Sequence, residues 1–269
     1  MGKLREIKSF EKRFLEETIE IAAVTGSLGA GAGRGGKEVM WTASISLAAW
    51  KELHDDAPVV HEKTQLQWLV TDEEWKEKKF HIEPHSIVRL QVRKSDSSLM
   101  LVDILSADHK DPELQLVLEK ELEPVYYLDE KLGKFELDKG LDWFEMETDW
   151  AGKPCFVYVD AQDEESQMKE ALQTAYLLFQ DPLSWDKKIK DYAASQLLEL
   201  ANDWLADFED DAQPITKESF VQSITFESIH LYPGGTYEVF LQDGDMFGGH
   251  VIIVRGYQDA TFESADIAG

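Results

Sequence analysis

The chain has 269 residues, 43% of them hydrophobic, and a formal net charge of −26 from 27 basic and 53 acidic side chains. That hydrophobic content excludes a disordered acidic chain. The charge argues against nucleic acid and anionic membrane as partners and favours a basic protein. The length suggests two modest domains or one large one. The acid is unevenly spread: residues 1–132 carry a net −7 and residues 133–269 a net −19. Cys155 is the single cysteine, so no internal disulfide and no CxxC zinc knuckle can form, which fits a reducing compartment. The opening "MGKLREIKSFEKRFLEE" holds no apolar secretory core, and Glu6 stands where a myristoylation signal needs Ser or Thr. No apolar run reaches the ~18 residues of a membrane span, so the cytoplasm is the expected compartment.

In chain order, "SFEKRFLEETIE" predicts a short helix over residues 9–20, followed by an extended "IAAVTG". "GSLGAGAGRGGK" connects to "EVMWTASISLAAW", where Trp41, Ala43, Ile45 and Leu47 alternate as in a strand. "TDEEWKEKK" reads as a short helix with Thr71 as N-cap and Glu74 completing a capping box. "SIVRLQVRK" and "LMLVDILSA" are two strands, "DPELQLVLEKEL" is a helix with Pro112 in its first turn, and "PVYYLD" returns to strand. Residues 1–131 are thus expected to form a β-rich domain with short helices.

Residues 132–269 are expected to form the second domain. "LDWFEMETDW" and "KPCFVYVDA" flank "WAGK", a hairpin signal with Gly152 in the turn. In the next segment Met168, Leu172, Ala175, Tyr176 and Phe179 share one helix face. After "DPLS", Ile189, Ala193, Leu197, Leu200, Ala201, Trp204 and Phe208 form a second helical stripe, and "TKESF" a short helical turn. Four strand-like stretches close the chain: "SITFESIHLY", "TYEVFLQ", "HVIIVRG" and "ATFES". Short turns between them predict an antiparallel meander, in which "VIIV", apolar on both faces, should be a central strand covered by the two long helices. The fold class is α+β: a β-rich N-terminal domain, then a mostly antiparallel sheet covered on one face by two long helices.

Four motifs raise chemistry. "GAGRGGK" fits a phosphate-loop spacing from Gly31 to Lys37, but a strand-like stretch follows it and Glu38 replaces the magnesium-binding hydroxyl. The Gly29–Gly36 stretch therefore reads as a poorly ordered hairpin loop. "HIEPH" offers His81, Glu83 and His85 as candidate metal ligands, but Pro84 disturbs a regular strand. The acidic run Asp207, Glu209, Asp210 and Asp211 is a candidate surface for a basic partner, because acid at a helix C-terminus opposes the helix dipole. In "DGDMFGGH", Asp243 and Asp245 copy the start of a calcium loop, which fails at Val254 where a bidentate acid is required. Asp243, Asp245 and His250 are the candidate acid–base set. The alternative is a wide hairpin whose glycines adopt positive φ, with Phe247 folded back and His250 bonding the loop backbone. In that alternative both aspartates face water or a partner, and replacing both with alanine leaves stability nearly unchanged.

The order of hairpin, two helices and meander resembles the bacterial domain of unknown function 2262. The resemblance is carried by Trp150-Ala-Gly152, the Leu198–Trp204 helix end and the Asp243–His250 turn, across roughly residues 132–256. Its second glycine, Gly249, stands where relatives are expected to carry a bulkier residue. The resemblance implies a small N-terminal domain alongside and no established reaction, and no cofactor is expected. By analogy with acidic domains beside bacterial toxins, it implies an immunity protein that neutralises a basic toxin. Three functional expectations stand: a non-enzymatic acidic binding protein, a hydrolase-like enzyme using Asp243, Asp245 and His250, and an interaction or scaffold module.

Overall fold

The computed structural model describes residues 2–54, 57–160, 165–208 and 213–269, with side chains described over 166–206 in the third stretch. The chain divides into two compact units, Met1–Pro124 and Val125–Gly269. The division falls upstream of residue 131 because Tyr126–Asp129 pairs with Gly133–Asp138 and so extends the second sheet.

The first unit runs α1 (Lys3–Glu11), β1 (Thr18–Thr25), β2 (Gly31–Gly33), β3 (Trp41–Glu52), β4 (Thr64–Val70), α2 (Asp72–Lys76), β5 (Ile87–Lys94), β6 (Ser98–Ser106) and α3 (Pro112–Leu122). β1 pairs with both β3 and β5, so the order β1-β5-β6-β4-β3 closes on itself. Every pair in that ring is antiparallel except β4–β6. The result is a five-stranded Greek-key barrel of the OB type. Period-two alternation fills it: Ala43, Ile45 and Leu47 from β3, Leu66, Trp68 and Val70 from β4, and Leu90 and Val92 from β5 point inward. Thr71 and Glu74 form the expected capping box on α2, and Asp111 caps α3 through the N–H groups of Glu113 and Leu114.

Two local expectations are corrected. The first helix lies at Lys3–Glu11, not over residues 9–20, because Thr18, Ile19 and Glu20 pair with Arg93, Val92 and Gln91. Barrel closure outweighs the helical spacing there. The glycine-rich stretch is partly a strand, since Gly31–Gly33 pairs with Ser44–Thr42.

The second unit runs β7 (Tyr126–Asp129), β8 (Gly133–Asp138), β9 (Trp143–Trp150), β10 (Lys153–Asp160), α4 (Glu165–Gln180), α5 (Pro182–Phe208), α6 (Lys217–Ser223), β11 (Thr225–Leu231), β12 (Thr236–Gln242), β13 (Val251–Tyr257) and β14 (Phe262–Ala268). Its eight strands lie in sequence order from β7 to β14. β10–β11 is the parallel pair, because the helices form the crossover between them. The β9–β10 turn uses Ala151 at φ 52° and Gly152 at φ 86°, the twist a two-residue hairpin requires. Met168, Leu172 and Ala175 of α4 and Ile189, Ala193, Leu197 and Ala201 of α5 pack on Cys155, Val157, Val159, Val239, Ile252 and Val254. β13 is an internal strand between β12 and β14: Ile252 and Val254 are buried under the helices, and Val251 and Ile253 are half-buried on the opposite face. The helices cover one face of this sheet.

Candidate functional site

The Asp243–His250 loop is organised by one carboxylate. Asp243 is 4% exposed. Its Oδ1 accepts from the Asp245 N–H at 3.0 Å, and its Oδ2 from the N–H groups of Phe247 at 2.8 Å and Gly249 at 3.0 Å. Gly244 adopts φ +60° against α6, where a Cβ would meet the Ser223 carbonyl oxygen at 2.7 Å, so only glycine fits. Phe247 is fully buried, edge-on to Trp204. The His250 ring also meets Trp204, and its Nδ1–H donates to the Phe247 carbonyl at 2.5 Å. That bond fixes the tautomer, because a carbonyl only accepts. The loop therefore pins itself as the hairpin alternative requires, with one correction: Asp243 turns inward and holds the loop, while Asp245 is exposed. Both Asp243 oxygens are engaged by backbone donors, and His250 is engaged by Phe247.

The other candidates are placed as follows. His81 Nε2 lies 2.7 Å from Glu83 Oε1 on an exposed turn. His85 sits at φ 50° with its N–H on the Gly26 carbonyl. Among the described residues no group of three or more His, Cys, Asp or Glu could hold a metal ion. Glu209, Asp210, Asp211 and the Asp207 side chain lie outside the described residues. Cys155 is buried in the sheet, and burial pushes its thiol up to about 12, far from a reactive thiolate.

The more informative surface is the face of the second sheet that the helices leave bare. Strand alternation sends Trp143, Phe156, Tyr158, His230, Phe240 and Ile253 to this side, opposite the core residues of the same strands. Register aligns them: Tyr158 lies beside His230 across β10–β11, and Phe240 beside Ile253 across β12–β13. The rings make a continuous row, with centroids 4.7 Å apart for Trp143–Tyr158, 4.6 Å for Tyr158–His230 and 4.8 Å for His230–Phe240. None of these side chains joins the buried core cluster, and Phe156 is 40% exposed.

Carboxylates border the row. Glu136 stands directly across from Glu145, Glu145 across from Tyr158, and Glu147 across from Phe156. Like charges directly opposite on neighbouring strands are destabilising. At the other end Arg255 binds Glu238 at 2.6 Å and Asp266 at 3.4 Å. Tyr232 donates to Glu238 and is pushed up to about 12 by burial and by that carboxylate. Burial, then Glu145 and Glu227, raises the Tyr158 phenol. Burial lowers the His230 pKa against the opposing pull of Glu238 and Asp160, so the ring is neutral at pH 7. A partly buried aromatic row with a carboxylate rim attracts cations in two ways, through ring quadrupoles and through charge.

Sequence reasoning did not single out this row. The signal was present: in "WFEMETDW" the alternation places Trp143, Glu145, Glu147 and Asp149 together, and Phe240 sits off the core face of "TYEVFLQ". An aromatic at a non-core strand position was the clue.

Together the barrel and the one-side-covered sheet define a two-unit α+β protein with a bare aromatic–acidic face. Residues 129–267 match the family model described as uncharacterized protein conserved in bacteria (DUF2262), and the chain belongs to that family. Residues 6–121 match a second model, a domain of unknown function (DUF7021). No curated protein matches. Among the described residues no helix is long and apolar enough to cross a membrane.

Proposed function

We propose that the protein is a non-enzymatic binding protein that takes a basic protein segment on the bare face of its second sheet. The observation that carries this reading is the Trp143–Tyr158–His230–Phe240 row bordered by Glu136, Glu145, Glu147 and Glu238. A lysine or arginine laid over the rings gains about 0.5–2 kcal/mol per cation–π contact, most when water is excluded. The rim adds charge attraction that salt screens over ~10 Å at 0.1 M. The strongly negative second half steers such a segment in and speeds association. By family analogy the basic segment belongs to a toxin, and the protein acts as its immunity partner by masking that surface.

The test is titration with a short arginine- and lysine-rich peptide, followed by calorimetry. Binding is expected to weaken steeply between about 50 and 500 mM salt. It should fall at least about tenfold in the Trp143→Ala, Tyr158→Ala double variant, the loss of one or two ring contacts. Equal binding by variant and wild type would overturn the reading.

A further inference from the structure

Glu6, Phe10 and Phe14 recur at one four-residue spacing and dock α1, with the turn after it, on the outside of the barrel. The Glu6 carboxylate accepts from the backbone N–H groups of Val39 and Met40, each at 3.0 Å. Phe10 and Phe14 pack together over Met100, Leu69 and Val102 of β6 and β4. The Arg13 guanidinium lies over both rings and donates to Gln67 at 2.8 Å. α1 and its turn thus lie over β4 and β6, and fill that face incompletely. Clefts of about 210 and 550 Å³ flank the helix, the larger reaching Ile7, Met40, Phe80 and Met100. At nine residues α1 is too short to be stable alone, so docking is what orders it.

We propose that this barrel face is a helix-binding groove and that α1 is its built-in, displaceable occupant. The partner it fits is a short amphipathic helix followed by a turn, carrying a carboxylate and two aromatic side chains at the spacing of Glu6, Phe10 and Phe14. The backbone N–H groups of Val39 and Met40 read the carboxylate, the Leu69–Met100–Val102 patch takes the rings, and Gln67 takes a donor beside them. The occupant detaches as far as Phe14, because the next residue, Leu15, is tied by its N–H to the Lys94 carbonyl. Tethering gives α1 an effective concentration in the mM range, so a helix in trans competes at a disadvantage that loosening α1 removes. The groove does not depend on the bare face of the second unit.

Two measurements on the full chain test this. Hydrogen exchange should show α1 amides opening locally, at least about 100-fold faster than those of β3 and β4. A labelled peptide of residues 2–16 should bind the Phe10→Ala, Phe14→Ala double variant at least about tenfold more tightly than wild type. The same peptide carrying Glu6→Ala and Phe10→Ala should bind neither. α1 amides that exchange only together with the barrel strands would overturn the proposal. So would a double variant that keeps β3 and β4 protected yet takes up the peptide no better than wild type. If the double variant unfolds, the wild-type exchange pattern decides alone.

Discussion

The two units treat a β-sheet's spare face in opposite ways. The barrel closes its sheet, buries one face completely, and lays its own N-terminal helix over part of the other. The second unit leaves its sheet open, covers one face with α4 and α5, and exposes the other as an aromatic row with a carboxylate rim. Closure spends most strand positions on packing. An open sheet covered once keeps half its positions available for recognition. The contrast recurs within a single strand: β9 carries one tryptophan to each face.

That pair gives the largest effect. Trp150 is 1% exposed, stacked on Phe226 at 4.9 Å and edge-on to Phe179 at 5.2 Å. Trp150→Ala should cost the second unit about 3–5 kcal/mol. Trp143→Ala, on the bare face of the same strand and only partly buried against Tyr158 and His230, should cost less, about 1–3 kcal/mol, and act on binding as well. Hydrogen-exchange protection of β10–β13 amides reads both, and similar losses would break the distinction between the faces.

A second pair lies in the Asp243–Asp245 turn. Asp243→Ala leaves three N–H groups without their acceptor in a largely buried place, and should cost about 2–4 kcal/mol. Asp245→Ala, at an exposed position, should stay within about 0.5 kcal/mol. Urea unfolding of each variant separates them.

The bare face should also respond to pH. His230 has its pKa lowered by burial. The unfolded chain therefore binds the proton more readily, so this group's contribution is fully present above the ordinary histidine value of 6.5 and is lost as pH falls from there through the folded value. The second unit should lose stability over that window, and His230→Asn should flatten the slope. An unchanged slope would show that the ring is not held neutral by its surroundings.

Much of the fold was legible because it follows from periodicity. The α4 and α5 stripes, the capping box at Thr71 and the Gly152 hairpin each depend on residues close in sequence. The first helix was misplaced because Thr18–Glu20 is settled by pairing with β5, far away in the chain. The Asp243 loop was half legible. Its glycines announced a turn, but the inward direction of one carboxylate depends on where three backbone N–H groups converge. The aromatic row was the least legible: Trp143, Tyr158, His230 and Phe240 come from four strands, and only register makes them neighbours.

The smallest expected effect is the most discriminating, because fold and function should move in opposite directions. Glu136 and Glu145 face each other across β8–β9 on the bare side. Replacing Glu136 with Lys turns a like-charge pair into an opposite-charge pair. Cross-strand pairs of this kind are worth roughly 0.2–1 kcal/mol, so the variant should be slightly more stable than wild type. The same change puts a cation on the rim of the aromatic row, and a basic peptide should bind it several-fold more weakly, most visibly at low salt. A residue that only packs or solvates the sheet cannot give that combination: its loss would lower stability, or leave both quantities alone. Gained stability with weakened binding would mark Glu136 as a carboxylate kept for a partner at the expense of the fold, whereas unchanged binding would return the rim to ordinary solvated surface.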